Sequence, residues 1–533
     1  MGRSAKRSRA GPLVVLLMLA GGAGVEATAD DATARSPSPI PAPMPFHLRE
    51  AAASPRVPAV DPAGAPPAIK PLADPDPPPP PARAAVDAAL IPGRTIEPID
   101  LISVLRLAGE RDLDIAIAKQ KVNQALADLD RARVLWLPSL FLGPTYYRAD
   151  GQVQTITGQV QNVNRGSLFL GGTAALPNGF PGPSPGTGYP QLNSMTSILR
   201  ISDTIFEPMA ARRVAQANRA AVVAQTNDAL LAAAEAYLDL QEASGRLAIA
   251  REAAANAEFL SRITLAYAKA GQGVEADHRR ALAELKHQRK NIQAFSGRLL
   301  VASTNLTRLL VLDSRLVVAP LEPAEAVLRL IADDAVLDDL LVEALLHRPE
   351  LAQSRELLQA AIVRLKQARL RPFIPSVAAT YVGGGQGGGQ GAFFGNFGAR
   401  GDFMASLFWE LQHLGFGDLA IMKRSAAEKQ VADLQLIKTQ TQVAADVTAA
   451  FEQRLAAARQ IAESRQTVSE AVESLRLNLL NMQEAAGLPR STLPIEVLQP
   501  IQALAQARLD YLDSVILYNR TQFRLKWAIG QQP

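Results

Sequence analysis

The stretch from Pro208 to about Lys269 constrains this chain more than any other. It contains no proline after Pro208 and a single glycine, Gly245. As one helix it would run roughly 90 Å, about three times the hydrocarbon thickness of a bilayer. Helices of ordinary globular domains are far shorter, so it is not packed around a compact core. Arg, Glu, Asp, Gln and Asn recur through it, which excludes a membrane-spanning helix. Its many alanines favour helix and let helices approach closely. It ends at Ala270-Gly271-Gln272-Gly273, and a second helical pattern runs from about Glu275 to Leu312. So short a joint forces an antiparallel hairpin. A water-exposed hairpin of this length is a strut or the stave of a barrel.

The surrounding elements occur twice. Asp100 to Trp136 has a helical pattern that stops at Trp136-Leu137-Pro138-Ser139-Leu140. A strand-like segment (about 138–150), a Gly/Pro/Asn-rich loop and a second strand candidate (194–206) precede the hairpin at 208–312. Later, the helix from Pro349 to Arg371 stops at Phe373-Ile374-Pro375-Ser376-Val377. Strand candidates at 374–382 and 402–411 flank the glycine tract Gly383–Gly391, which reads as a flexible extracellular loop. A second hairpin spans 418–529, with its joint at Ala486-Gly487-Leu488-Pro489-Arg490. Pro138 and Pro375 are 237 residues apart (375 − 138), Gly271 and Gly487 only 216 (487 − 271). About twenty extra loop residues in the first strand unit account for the shift. The domains expected are a first repeat at 96–312, a connecting segment at 313–348 (the belt, in the resemblance drawn below) and a second repeat at 349–530.

The N-terminus carries the marks of an export signal at 1–27. Arg3, Lys6, Arg7 and Arg9 precede the apolar run Leu13–Ala20, and small residues suit cleavage after Ala27 or Ala29. Residues 28–95 are dense in proline and read as an extended, disordered arm. The chain has no cysteine, which excludes disulfides, thiol catalysis and a lipid-modified cysteine. Its net charge of +4 is small, and no basic patch alternates with aromatics, so nucleic acid is not an expected partner.

The strand candidates alternate. Phe403, Ala405, Leu407, Trp409 and Leu411 stand against Asp402, Ser406 and Glu410, and Met195 to Ile205 shows a similar pattern. This suits a barrel with a lipid-facing exterior and a wet lumen, although a soluble two-layer sheet has the same alternation. Trp136, Tyr146, Phe373, Tyr381 and Trp409 lie near segment ends, where an aromatic girdle would sit. Four strands cannot close a barrel with a lumen, and open sheet edges are not tolerated in lipid. If these strands enter a membrane, several chains share one barrel; three copies give about twelve strands.

From Ile96 to Gly530 the chain resembles the outer membrane efflux protein family, the TolC-like export ducts. The resemblance rests on the duplicated element order, the Leu-Pro-Ser and Ile-Pro-Ser strand entries, and two tips beginning Ala-Gly. It implies a mostly α fold with a small membrane β-barrel portion. Three copies would build a twelve-strand barrel in the outer membrane, continued by an α-helical periplasmic tunnel with an equatorial belt. It further implies a periplasmic adaptor and an inner-membrane pump as partners, the trimer acting as a passive duct. By resemblance, Gly271 and Asp277 belong to the first tip, and Gly487, Arg490 and Glu496 to the second, with the acids biasing the closed end toward cations. Gln499 stands where a second acid would be, and Pro489, Pro494 and Pro500 also depart from the pattern; Pro500 is expected to break or kink its helix.

Enzyme chemistry finds no foothold. His47, His278, His287, His347 and His413 are scattered, without metal-ligand spacing, and no nucleophile elbow or phosphate loop occurs. No catalytic residue, metal or cofactor is therefore expected. Two rival readings remain: a secreted coiled-coil structural or adhesion protein without a pore, and, further behind, a periplasmic adaptor.

Overall fold

The computed structural model describes residues 96–154, 157–175, 198–269, 273–390, 395–484 and 494–532. The expected leader and proline-rich arm lie outside them, as do Gly271, Gly487 and Arg490. Strand β1 (Ile96–Ile99) leads into α1 (Leu101–Arg111) and α2 (Leu113–Arg133). The single helix expected from Asp100 to Trp136 is two. Asp112 breaks it, its extended backbone closing α1 while its carboxylate accepts the N–H groups of Asp114 (2.8 Å) and Ile115 (3.0 Å) to start α2.

Then follow β2 (Ser139–Gln154), β3 (Val160–Ala175), β4 (Ile198–Arg200), α3 (Ile201–Lys269) and α4 (Glu275–Leu309). The connecting stretch holds β5 (Val317–Pro320), paired in parallel with β1, and α5 (Leu337–His347). The second repeat is α6 (Pro349–Leu370), β6 (Ser376–Gln390), β7 (Gly398–Phe408), α7 (Phe416–Glu484) and α8 (Leu498–Ala528). Helices α3 and α7 have 69 residues each, roughly 100 Å, as a duplication requires.

Two expectations fail in the strands. The second strand of the first repeat does not run to 206: among the described residues of 194–206 only Ile198–Arg200 is extended, and Ile201 begins the long helix. Ile201, Ile205 and Met209 recur at helical spacing, and Pro208 is accommodated inside the helix at the loss of its bond to Thr204. The long second strand is β3, within the stretch read as loop. Register explains the extra residues: Ala175 lies opposite Thr380 and Ile198 opposite Ala378, so β3 and β4 follow one edge of β6 a single rung apart. Residues 176–197 are therefore inserted within a strand line, not at its hairpin.

The glycine tract is the second correction. Gly383 to Gln390 belongs to β6, paired with β3 on one side and, as far as Gln386, with β7 on the other. A Cβ on Gly384 would lie 2.4 Å from the Leu170 carbonyl oxygen and 2.7 Å from the Gly171 Cα. The Phe169 ring lies over this contact and is fully buried. Glycine here permits two backbones to pinch together under an aromatic lid.

Helix α3 is the hub, packing on α2, α4, α6 and α8. Tyr237, Leu240 and Leu247 meet Val104, Leu306, Leu310 and Val318 in the largest core cluster. Opposite them, Leu238 and Ile249 meet Leu512, Ile516 and Phe523 of α8. Gly245 is where the connecting strap and α8 press closest; a Cβ there would stand 2.8 Å from Leu512 Cδ2 and 2.9 Å from Ala324 Cβ.

Candidate functional site

The sheet runs β2-β3-β6-β7, with β4 extending the β3 line. Because side chains alternate, its register assigns every position to one of two faces. One face carries the cross-strand rows Leu140–Ala174–Tyr381–Phe403, Leu142–Gly172–Gly383–Gly401, Pro144–Leu170–Gly385–Ala399 and Tyr146–Leu168–Gly387. Ala379–Ala405 and Val377–Leu407 extend it toward the helices. None of these positions is polar apart from the tyrosine hydroxyls, and Leu140, Leu142, Phe403 and Leu407 are exposed. These rows form one apolar band across the sheet.

The other face is mixed in polarity. It carries Thr145, Tyr147, Arg165, Ser167, Thr380, Gln386, Arg400 and Asp402. The Arg400 guanidinium pairs with Asp402 at 2.6 Å and also donates to Gln386. Farther from the helices, a cavity of about 490 Å³ opens among Tyr147, Arg165, Ser167, Gln386 and Asn396. Strands β2 and β7 each leave one edge without a partner among the described residues.

The aromatic candidates are all exposed. Trp136 precedes β2, Phe373 precedes β6 and Trp409 follows β7, so these three stand at the helix end of the sheet; the Trp409 indole N–H donates to the Phe373 carbonyl (3.3 Å). Tyr146 stands on the far row of the apolar face. Tyr381 lies within the face, opposite Phe403, rather than at its rim.

At the opposite end of the long helices, Leu260, Ala281, Val497 and Ile501 pack the two hairpins together, and Gln502 donates to Glu284 at 2.7 Å. Asp277 lies in the first turn of α4, where a helix N-terminus favours a carboxylate, and Arg280 approaches it at 3.7 Å. Glu496 is exposed in a short 3-10 turn, Pro494–Val497, that leads into α8. Pro500 does not break or kink its helix. Since α8 starts at Leu498, Pro500 sits in the first turn, where no intrahelical N–H bond is lost. Asp277 and Glu496 thus share one end of the helices.

Sequence reasoning missed a seam joining the hairpins. Trp527, Arg524, Arg520, Asp513 and Arg508 of α8 meet Asp228, Glu235, Asp239, Arg246 and Glu252 of α3 in antiparallel order, at 2.8 Å for Trp527–Asp228 and 2.7 Å for Arg246–Asp513. Desolvation pushes the Asp239 and Asp513 carboxyls above their usual range despite their arginine partners. The strap between β5 and α5 is clasped by buried Asn519, which accepts from Leu328 N–H (2.8 Å) and donates to the Ala326 carbonyl (2.7 Å). Glu322 accepts from Leu101 N–H (3.0 Å) and from the hydroxyl of buried Tyr237. At the strap's far end, Arg348 stacks on Trp527 at 4.0 Å and pairs with Glu350 (3.0 Å) and Asp446 (3.4 Å).

No helix among the described residues is long and apolar enough to cross a membrane, and no group of side chains there could hold a metal ion. No family model matches the chain, and no curated protein matches its sequence. Solved structures do match its fold. The CmeC outer membrane channel of Campylobacter jejuni aligns with a TM-score of 0.63 at 16% identity, covering 81% of this chain and 85% of that one. The open state of the MtrE outer membrane channel of Neisseria gonorrhoeae gives 0.64 at 18% identity, over 81% and 89%. The outer membrane protein VceC of Vibrio cholerae gives 0.62 at 16% identity, over 81% and 96%. The chain has the fold of these outer-membrane proteins.

Proposed function

We propose that this fold serves here as it does in the channels it resembles: three copies form an outer-membrane duct that conducts cargo passively from the periplasm. The observation that carries the reading is a sheet with a band of apolar rows on one face, two edges open among the described residues and two 69-residue helices leading away from it. Open edges in lipid are satisfied only by closure, and four long strands per chain make twelve in a trimer. The helical flanks support the same grouping. Val431, Leu434 and Ile437 are exposed along α7, and Ile117 on α2 is exposed on the chain's other flank.

In this reading the barrel lumen is the mixed face, and the hairpin tips form the periplasmic entrance. Asp277 and Glu496 from three chains would place rings of carboxylates at that aperture and bias it toward cations. A periplasmic adaptor docks at the tips and an inner-membrane pump supplies the energy; the adaptor opens the duct by binding the open tips better than the closed ones. A secreted rod without a pore is disfavoured by the apolar sheet face, which such a rod would leave in water.

Membrane fractionation followed by mass measurement of the detergent-solubilised protein tests the class. A trimer in the outer membrane is expected; a monomer soluble without detergent would overturn the reading. In planar bilayers, Asp277→Ala and Glu496→Ala should each lower cation preference. Unchanged reversal potentials for both would remove the gate assignment and leave the duct.

A further inference from the structure

Where helices α2, α3, α6 and α7 meet the sheet, each repeats one arrangement. On α3, Ile205, Met209 and Arg212 follow one another at helical spacing, all exposed. On α7, Phe416, Leu419 and Lys423 do the same. At the end of α6, exposed Phe373 and Leu370 are followed, moving away from the sheet, by exposed Arg369 and Lys366. At the end of α2, exposed Trp136 is followed by Arg133. Each stripe is apolar next to the sheet and cationic within about three turns of it. Arg133 pairs with Asp130 at 3.1 Å, whereas Arg212, Lys366, Arg369 and Lys423 make no ion pair among the described residues. Asp418, the acid nearest the α7 stripe, is buried and accepts the Gln412 N–H (2.9 Å).

We propose that this collar binds the anionic phospholipid headgroups of the membrane leaflet nearest the helices. The proposal rests on the membrane reading above and adds a lipid preference to it. Apolar side chains continue the apolar sheet face to the level of the ester groups, and the long cationic side chains one or two turns away reach the phosphates. Three helices, α3, α6 and α7, carry an unpaired cation in this pattern independently, so it is not a single solvated charge. The occupant is a lipid rather than a free anion, because each cation follows exposed apolar side chains on its own helix, and the cavity on the far part of the sheet has none of these cations in its lining.

The test uses the full-length protein in non-ionic detergent, titrated with phosphatidylglycerol or phosphatidylcholine and weighed by native mass spectrometry. Phosphatidylglycerol adducts should outnumber phosphatidylcholine adducts roughly tenfold, and the preference should vanish in 0.5 M salt, an added arm of about that strength. The quadruple variant R212Q/K366Q/R369Q/K423Q should lose the preference while keeping its mass and helix content; R212K/R369K with K366R/K423R should retain it. Equal binding of the two lipids by the wild type, or an unchanged preference in the quadruple variant, would overturn the proposal while the duct stands. Displacement of phosphatidylglycerol by millimolar inorganic phosphate would mean a free-anion site and would overturn it too. A protein that needs no detergent and takes up neither lipid would instead sink the membrane reading. If the quadruple variant fails to fold, the salt and phosphate arms on the wild type still decide.

Discussion

Replacing Gly384 by alanine tests whether the glycine tract is a strand, and Gly383→Ala one residue away is its control. At Gly384 the new Cβ would meet the Leu170 carbonyl oxygen at 2.4 Å, the Gly171 Cα at 2.7 Å and the Phe169 ring at 3.0 Å. The first two are backbone atoms that no rotamer change can move, so β3 and β6 must separate. Overpacking of that kind costs about 1–3 kcal/mol. At Gly383, on the apolar face, the nearest atoms belong to the Tyr381 ring at 3.2 Å, and that exposed side chain can tilt away. There alanine mainly reduces the freedom of the unfolded chain, stabilising by about 0.4–1 kcal/mol. The two variants should therefore differ by about 1.5–4 kcal/mol, with opposite signs against the wild type. Urea unfolding of the detergent-solubilised protein, followed by tryptophan fluorescence, reads the difference, because Trp136 and Trp409 stand at the end of the same sheet. Coincident midpoints for the two variants would falsify the pinched-strand account and restore a loop.

Glu325 carries a pH signature. Burial and the neighbouring Glu252 raise its carboxyl above its ordinary value of 4.5, against the pull of Arg508. A raised folded-state value gives stability that is complete below the ordinary value and lost as pH rises through the raised one. Glu325→Gln should therefore match the wild type near pH 4 and exceed it at pH 8 in urea midpoint; the same difference at both pH values refutes the assignment. Asn519→Ala leaves the Leu328 N–H and the Ala326 carbonyl without their partner, at about 1–3 kcal/mol per buried group. Hydrogen exchange should quicken at Leu328 in the strap while α8 stays protected, and unchanged exchange at Leu328 would remove the clasp.

The duplication was legible because Pro138 and Pro375 each halt a helix and Ser139 and Ser376 each open a strand. The long helices were legible because nothing interrupts them. β3 was not: in Val160–Ala175, Gly166 and Gly172 stand on the face that carries the apolar rows and Gly171 on the other, so neither face shows its alternation in full. Ser194–Phe206 misled for the converse reason, since Ile201, Ile205 and Met209 satisfy a helical period that a short window mistakes for alternation. Pro500 misled because the helix start was placed too early. The α3–α8 seam could not be read at all, because pairs such as Glu235–Arg524 depend on a register between repeats that only tertiary packing sets. Of the candidate site, Asp277 and Glu496 were assigned to the tips through the family resemblance, and both lie at one end of the helices.

The interrupted β3–β4 line has a consequence for how this chain can change. A polypeptide that departs from a strand and returns one rung later owes nothing to the length of its detour. Grafts, epitopes or whole small modules spliced between Ala175 and Ile198 would leave the pitch of the neighbouring staves untouched. Lineages could lengthen or prune that excursion freely, while a single residue added to the uninterrupted β7 would turn every later side chain in it inside out.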